Sequence, residues 1–174
     1  MFPDGGIARF RLFGVVVPVF PELGTTFDLA HVANGGLAVA YSDQHFGKAS
    51  NLLLPGRGVD MGDGWETKRS RKGDHCDWVI VKLGTRGTIE KAIVDTAYFK
   101  GNFPKMVKLE ATDSSDLVPS TAWTEILSPQ KCEPHRESEY ASQLTNLEKP
   151  YTHVRMTIIP DGGVKRLRIF GRRH

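Results

Sequence analysis

The two ends of the chain carry the same twelve-residue motif. Pro3-Asp-Gly-Gly-Ile-Ala-Arg-Phe-Arg-Leu-Phe-Gly14 aligns without gaps on Pro160-Asp-Gly-Gly-Val-Lys-Arg-Leu-Arg-Ile-Phe-Gly171, with eight positions identical. The copies lie 157 residues apart, far beyond the roughly 20–50-residue period of a solenoid. The repeating unit is therefore a whole domain. In a chain of 174 residues, one complete domain is expected over residues 28–174. Residues 1–27 are then a linker and the last strand, Ile7–Phe13, of a preceding copy. On this reading the chain is a truncated two-copy protein.

The repeated element has a clear local meaning. Asp161-Gly162-Gly163 is a turn signal, since glycine takes positive φ at little cost. Lys165, Leu167 and Ile169 then alternate with Arg166, Arg168 and Phe170. A period of two predicts a strand with Leu167 and Ile169 inward and both arginines outward. The same alternation marks 153–158 and 106–111. Trp78–Leu83 and Ile89–Thr96 are rich in β-branched residues and are separated by Gly84-Thr-Arg-Gly87, a turn-like connection. Leu37–Tyr41 and Thr124–Leu127 are weaker strands. Ala49–Leu54 and Glu137–Leu147 are expected as short helices, and 112–149 as long surface loops. No apolar stripe of 3.6-residue period runs for three turns, and 18 glycines and 10 prolines supply many turns. Seven or eight strands in one copy predict an all-β protein, an antiparallel sandwich or jelly roll.

Composition excludes several classes. A net charge of +3 with 25% charged residues argues against disorder and against a dedicated nucleic-acid binder. The longest apolar stretch, Leu12–Phe20, is broken by Gly14 and Pro18 and falls short of the about 20 residues a membrane helix needs. The first residues lack a basic, then apolar, secretory leader. Cys76 and Cys132 form neither a CxxC pair nor a metal-ligand spacing, so two free thiols in the cytoplasm are expected. The chain is expected to be soluble, with no membrane or nucleic-acid partner.

Chemistry concentrates in Asp63-Gly-Trp-Glu-Thr-Lys-Arg69, in His75-Cys-Asp-Trp78 and in Val94-Asp-Thr-Ala-Tyr-Phe-Lys-Gly-Asn-Phe-Pro104. Glu66, Asp77, Asp95 and His75 are the groups that water activation and leaving-group protonation require. Lys68, Arg69 and Arg71 are cations suited to a substrate carboxylate. Asn102 can donate and accept through one amide. Each has a structural alternative: Asp95 as a turn cap, His75 as a surface histidine, Trp65 as core rather than ligand platform. There is no P-loop, GxGxxG turn, GxSxG elbow, HxH or HExxH spacing, and neither metal nor cofactor is expected. Glu66, Asp77, Asp95 and Asn102 are expected to converge at one rim, with Arg69 or His75 at its edge.

Taken in order, Ser42-Asp-Gln-His-Phe-Gly-Lys-Ala-Ser-Asn-Leu-Leu53, Asp63-Gly-Trp-Glu-Thr67, Cys76-Asp-Trp78, Asp95-Thr-Ala-Tyr-Phe-Lys-Gly-Asn-Phe-Pro104 and Pro160-Asp-Gly-Gly-Val-Lys-Arg-Leu-Arg168 resemble the motifs of the allantoicase family. That resemblance implies two tandem galactose-binding-like jelly rolls, each ending in a Pro-Asp-Gly-Gly strand. This chain then holds the second repeat and the last strand of the first. It also implies hydrolysis of allantoate to ureidoglycolate and urea in purine catabolism, with allantoate as the small-molecule partner. Glu66, Asp77, Asp95 and His75 then share the acid, base and acceptor roles. Arg69 or Lys68 takes the carboxylate, and Asn102 and Trp65 hold the substrate. With most of the first repeat missing, an inactive chain is one expected outcome. The alternative is a non-catalytic carbohydrate or small-ligand binding module. An exposed apolar strand at 7–13 is compatible with a homo-oligomer.

Overall fold

The computed structural model describes residues 4–7, 10–120 and 122–174. Ala8 and Arg9, placed by the sequence in an N-terminal strand, lie outside the described residues, as do residues 1–3 and Thr121. The elements are β1 (Phe27–Asp28), β2 (Leu37–Tyr41), β3 (Trp65–Glu66), β4 (Asp77–Asp95), β5 (Met106–Thr112), β6 (Thr124–Lys131), β7 (Glu137–Tyr140), β8 (Tyr151–Ile159), β9 (Gly163–Val164) and β10 (Arg166–Arg173). Short 3-10 helices cover Val32–Asn34 and Ala49–Leu53. The fold is all-β, its paired strands are antiparallel, and no α-helix occurs among the described residues.

One strand organises the molecule. The first half of β4 lies between β2 and β8, and its second half lies between β10 and β7. The strand thus passes from a layer ordered β6-β5-β8-β4-β2 into a layer ordered β1-β10-β4-β7. This makes the sandwich. It also corrects the expected hairpin at 84–87: both glycines lie inside a continuous strand. Their purpose is close approach. A Cβ on Gly84 would sit 1.7 Å from the carbonyl oxygen of Asn34, and one on Gly87 would sit 2.5 Å from that of Arg172. Glycine inside a strand often marks such an approach rather than a reversal.

The core follows the period-two pattern. Val79, Val81, Ala92 and Val94 of β4, Val107 and Leu109 of β5, Val154, Met156 and Ile158 of β8, and Leu167 and Ile169 of β10 are buried together. Each large aliphatic among them contributes roughly 1.5–3 kcal/mol of transfer free energy. The arginines of β10 depart from expectation. Arg166 is buried, because the segment 51–63 covers the outer face of β10. Its guanidinium donates to the carbonyls of Gly56, Asn51, Asp63 and Lys165 and pairs with the Asp63 carboxylate. Those acceptors replace the water that a buried cation loses. Lys165 is wholly buried beside the same Asp63.

The helix expected at 137–147 is absent. Glu137–Tyr140 instead form β7, which uses the free edge of β4 from Ala92 to Asp95. Near the N-terminus, the described residues from Ile7 to Phe20 form no strand. Phe10, Leu12, Phe13, Val15, Val17 and Val19 are each at least 80% exposed. The chain docks from Pro18 and Phe20 onward. The Phe20 ring lies 5.7 Å from that of Phe27, and the Arg173 guanidinium stacks over it.

Candidate functional site

Three of the sequence motifs interlock through one aromatic ring. Phe99 is wholly buried. A Cβ on Gly64 would come 2.8 Å from its ring, and a Cβ on Gly163 would come 2.0 Å from it. Only glycine fits at either contact, so Asp63-Gly-Trp-Glu, Ala-Tyr-Phe-Lys-Gly-Asn and Pro-Asp-Gly-Gly pack as a unit. Backbone bonds close the unit. Gly163 N–H donates to the Asn102 carbonyl at 2.7 Å, and Thr67 N–H donates to that of Gly162 at 3.1 Å. Gly162 N–H donates to Thr67 Oγ1 at 3.1 Å.

The backbone of Glu66 is gripped from two sides. It pairs with Gly163 of β9. Its carbonyl accepts from Phe46 and Gly47, and its N–H donates to Gly47. Asp43 locks the neighbours: its carbonyl accepts from Trp65 Nε1 at 2.8 Å, and its carboxylate accepts from Lys68 N–H at 2.9 Å. The Glu66 carboxylate is thereby set against Asn102, whose Nδ2 donates to Oε1.

The pair lines a cavity of about 810 Å³. Arg69 and Ser70 form one wall, and Asp161 accepts from Ser70 N–H at 2.7 Å. Phe103, Lys105, Lys131 and Cys132 line another part, with the exposed Phe46 at the mouth. Burial pushes the Cys132 thiol up to about 11, so it stays protonated at neutral pH.

A second cavity, about 580 Å³, shares Arg69 and Ser70 with the first. It holds Lys68, His75 and Asp77. The buried Asp77 carboxylate accepts from Ser42 Oγ at 2.7 Å and faces His75 Nε2 at 3.1 Å. The carboxylate stands between imidazole and hydroxyl. His75 therefore cannot take a proton from Ser42, and this is no serine-histidine relay.

The expected convergence holds for some residues only. Glu66, Asn102 and Arg69 share the first cavity; Asp77, His75, Lys68 and Arg69 share the second. Asp95 stands apart. It takes a two-bond fork from Arg57, at 2.7 and 2.8 Å, and accepts from Ala97 N–H at 2.9 Å. It faces a small third cavity, about 160 Å³, with Arg166 and Arg168. The bond to Asp95 is the main reason the Arg57 guanidinium titrates above its ordinary range. Trp65 is wholly buried in the core and lines none of the three cavities. It orients Glu66 through its neighbour's backbone and cannot serve as a ligand platform. Lys105, Lys131 and Asp161 line the main cavity without having been picked from the sequence. Asp161 was visible as part of the repeated motif; the two lysines carry no local signal. Among the described residues, no three His, Cys, Asp or Glu side chains are grouped to hold a metal ion.

The family profile for the allantoicase repeat matches residues 27–174. The chain is 64% identical to a probable allantoicase of Schizosaccharomyces pombe, over 99% of this chain and 51% of that protein. It is 56% identical to an allantoicase of Neurospora crassa, over 99% of this chain and 50% of that protein. The crystal structure of allantoicase from Saccharomyces cerevisiae superposes with a TM-score of 0.82 at 50% identity, covering 98% of this chain and 49% of that one. A family 32 carbohydrate-binding module of Clostridium perfringens NanJ, solved with galactose, shares the fold alone, with a TM-score of 0.58 at 12% identity over 84% of this chain and 99% of that one. The chain spans about half the length of the curated relatives it matches. Jelly-roll architecture, interlocking motifs and these similarities agree: the chain belongs to the allantoicase family.

Proposed function

We propose that the chain acts in the hydrolysis of allantoate to ureidoglycolate and urea, with Glu66 and Asn102 at the ureido group that leaves. The observation that carries this is the Glu66–Asn102 pair, held by backbone on both sides and open to a cavity large enough for a small polar ligand. In the reaction a water oxygen bonds to the central carbon, the bond from that carbon to one ureido nitrogen breaks, and urea departs with a proton. Glu66 has one oxygen engaged by Asn102, and its other oxygen can take the proton of the attacking water. The Asn102 amide carbonyl accepts from a ureido N–H. Arg69, on the partition between the cavities, places a cation within reach of either. His75 and Asp77 form a second acid–base pair behind that partition, and Lys68 lies with them. Asp95 and Trp65 serve as supports on this reading. The two free cysteines, one exposed and one buried, favour a cytoplasmic setting. No helix among the described residues is long and apolar enough to cross a membrane.

The test combines turnover with binding. The purified chain is titrated with allantoate by calorimetry and assayed for urea release. Saturable binding that Asn102→Ala weakens at least tenfold, with urea as product, is the expected result. A chain that neither binds allantoate nor releases urea sinks the proposal. One observation favours a binding module instead: Phe46 is 65% exposed at the cavity mouth, as a sugar-stacking residue would be. Saturable binding of galactose, abolished by Phe46→Ala, would decide for that second reading.

A further inference from the structure

We propose that Lys105 and Lys131 form the carboxylate-binding subsite of the large cavity and make it select ureides that carry an acid over neutral ureides. This rests on the ureide reading above and assigns the acid-recognition role to residues that no sequence motif marks.

The placement comes from strand pairing. Lys105 immediately precedes β5, and its N–H donates to the Ile159 carbonyl at 2.9 Å. Its own carbonyl accepts from Cys132 N–H at 3.0 Å, and Lys131 is the register partner of Met106. Two ammonium side chains therefore spring from neighbouring positions at one end of the β5–β6 pair, and both line the cavity. Lys131 stands opposite Met106 and Lys105 beside Cys132, so the lysines are offset by one position and it is the shared cavity lining that brings them together.

The charges of the lining point the same way. All three of its carboxylates are engaged from within the protein. Glu66 accepts from Asn102, Asp161 accepts from the backbone of Ser70, and Glu133 pairs with Arg136. The three cations, Arg69, Lys105 and Lys131, have no hydrogen-bonding or ion-pair partner for their side chains among the described residues. Only Glu133 among these carboxylates is paired with a cation; Glu66 and Asp161 are held by neutral donors and keep their charge, so the lining presents both signs and its cations are the groups left without partners. Arg69 faces both cavities, and Lys68 lines only the smaller one. Lys105 lines the large cavity alone, whereas Lys131 also borders a cavity of about 230 Å³ beside Glu133, Glu137 and Glu139. Asn102 and Lys105 are three residues apart, so their Cα atoms lie within about 11 Å. A flexible lysine stem can bring its charge to the carboxylate of a ligand whose ureido group rests on Asn102.

The test uses the full chain and three small probes in NMR titrations. N-carbamoylglycine carries one ureido group and one carboxylate. N-carbamoylglycinamide is its neutral counterpart. Glycolate carries a carboxylate and no ureido group. The wild-type chain is expected to bind the acid at least tenfold more tightly than the amide. Lys105→Met/Lys131→Met should bring the two within twofold, leave the affinity for the amide unchanged, and leave the melting temperature unchanged. Lys105→Arg/Lys131→Arg should keep most of the preference. A preference that survives the double methionine variant overturns the subsite, as does equal loss of both ligands from a folded variant or failure of the wild type to bind either acid. Glycolate binding that depends on the lysines, with no binding of the neutral amide, upholds the subsite and overturns the ureide reading instead.

Discussion

At the scale of single residues, a carboxylate is given a role by what already holds it. Glu66 and Asp95 are both acids next to strand ends, and the sequence ranks them alike. In the structure Glu66 accepts from a neutral amide through one oxygen, whereas Asp95 is closed by Arg57 and the Ala97 amide. Arg57 lies 38 residues from Asp95, and no local pattern announces that pairing. Glu66→Gln preserves shape and still accepts from Asn102. On the proposed function, urea release is expected to fall at least 100-fold, on the scale of a positioned acid or base, with the melting temperature unmoved. A melting temperature that drops while turnover per folded molecule stays within a few-fold would make Glu66 a loop brace instead. A second residue, His153, makes stability depend on pH. It is buried, its Nδ1 faces Thr152 Oγ1 at 2.9 Å, and burial lowers its titration below the ordinary 6.5. The Leu117 backbone opposes that lowering most, Lys82 adds to it, and Asp113 and Asp116 oppose it. Below about 6.5 the unfolded chain takes up this proton before the folded one does, so stability intact above that pH declines as pH falls. The denaturation midpoint should drop between pH 7 and 5.5, and His153→Gln should flatten part of the slope.

At the scale of elements, alternation was legible and chain reversal was not. The inward residues of β5, β8 and β10 were readable because a period of two needs no knowledge of the partner strand. The segment 84–87 misled because glycine marks both turns and close backbone contacts. The error propagates to the site. A hairpin closed at 84–87 sets Asp77 beside Asp95 at its open end, while a continuous strand sets them at its two termini. The outward arginines of β10 failed for a related reason. The segment that buries Arg166 comes from more than 100 residues earlier in the chain, and alternation says nothing about what covers the second face. Gly84→Ala tests the crossing. Its Cβ would meet backbone rather than a movable side chain, so a loss of about 1–3 kcal/mol or more is expected, read from urea denaturation. Gly73→Ala, with nothing within 4 Å of the added carbon, is the matched control and should change little.

At the scale of the whole molecule, the described domain closes on itself without the first residues. Asp28 of β1 is the lock. Its Oδ1 accepts from the backbone of Ala30 and of Ile169, each at 3.0 Å, and burial raises its titration against the pull of those bonds and of Arg168. Phe20, Pro18 and Thr26 still touch the domain, Phe20 through Phe27, Pro18 beside Gly35, and Thr26 through Glu90. The apolar side chains from Phe10 to Val17 are exposed, and a run of exposed apolar side chains is an association hazard. The repeated motif suggested a division near residue 27, but where the chain begins to dock depends on contacts such as Phe20–Phe27, which no spacing encodes. Deleting residues 1–17 should therefore leave the melting temperature within a degree or two and weaken any concentration-dependent association read by sedimentation. Deleting residues 1–28 should remove the Asp28 bonds, expose the edge of β10 and lower the melting temperature sharply. Should the shorter deletion already unfold the protein, the arm is integral to the domain and the division near residue 27 is misplaced.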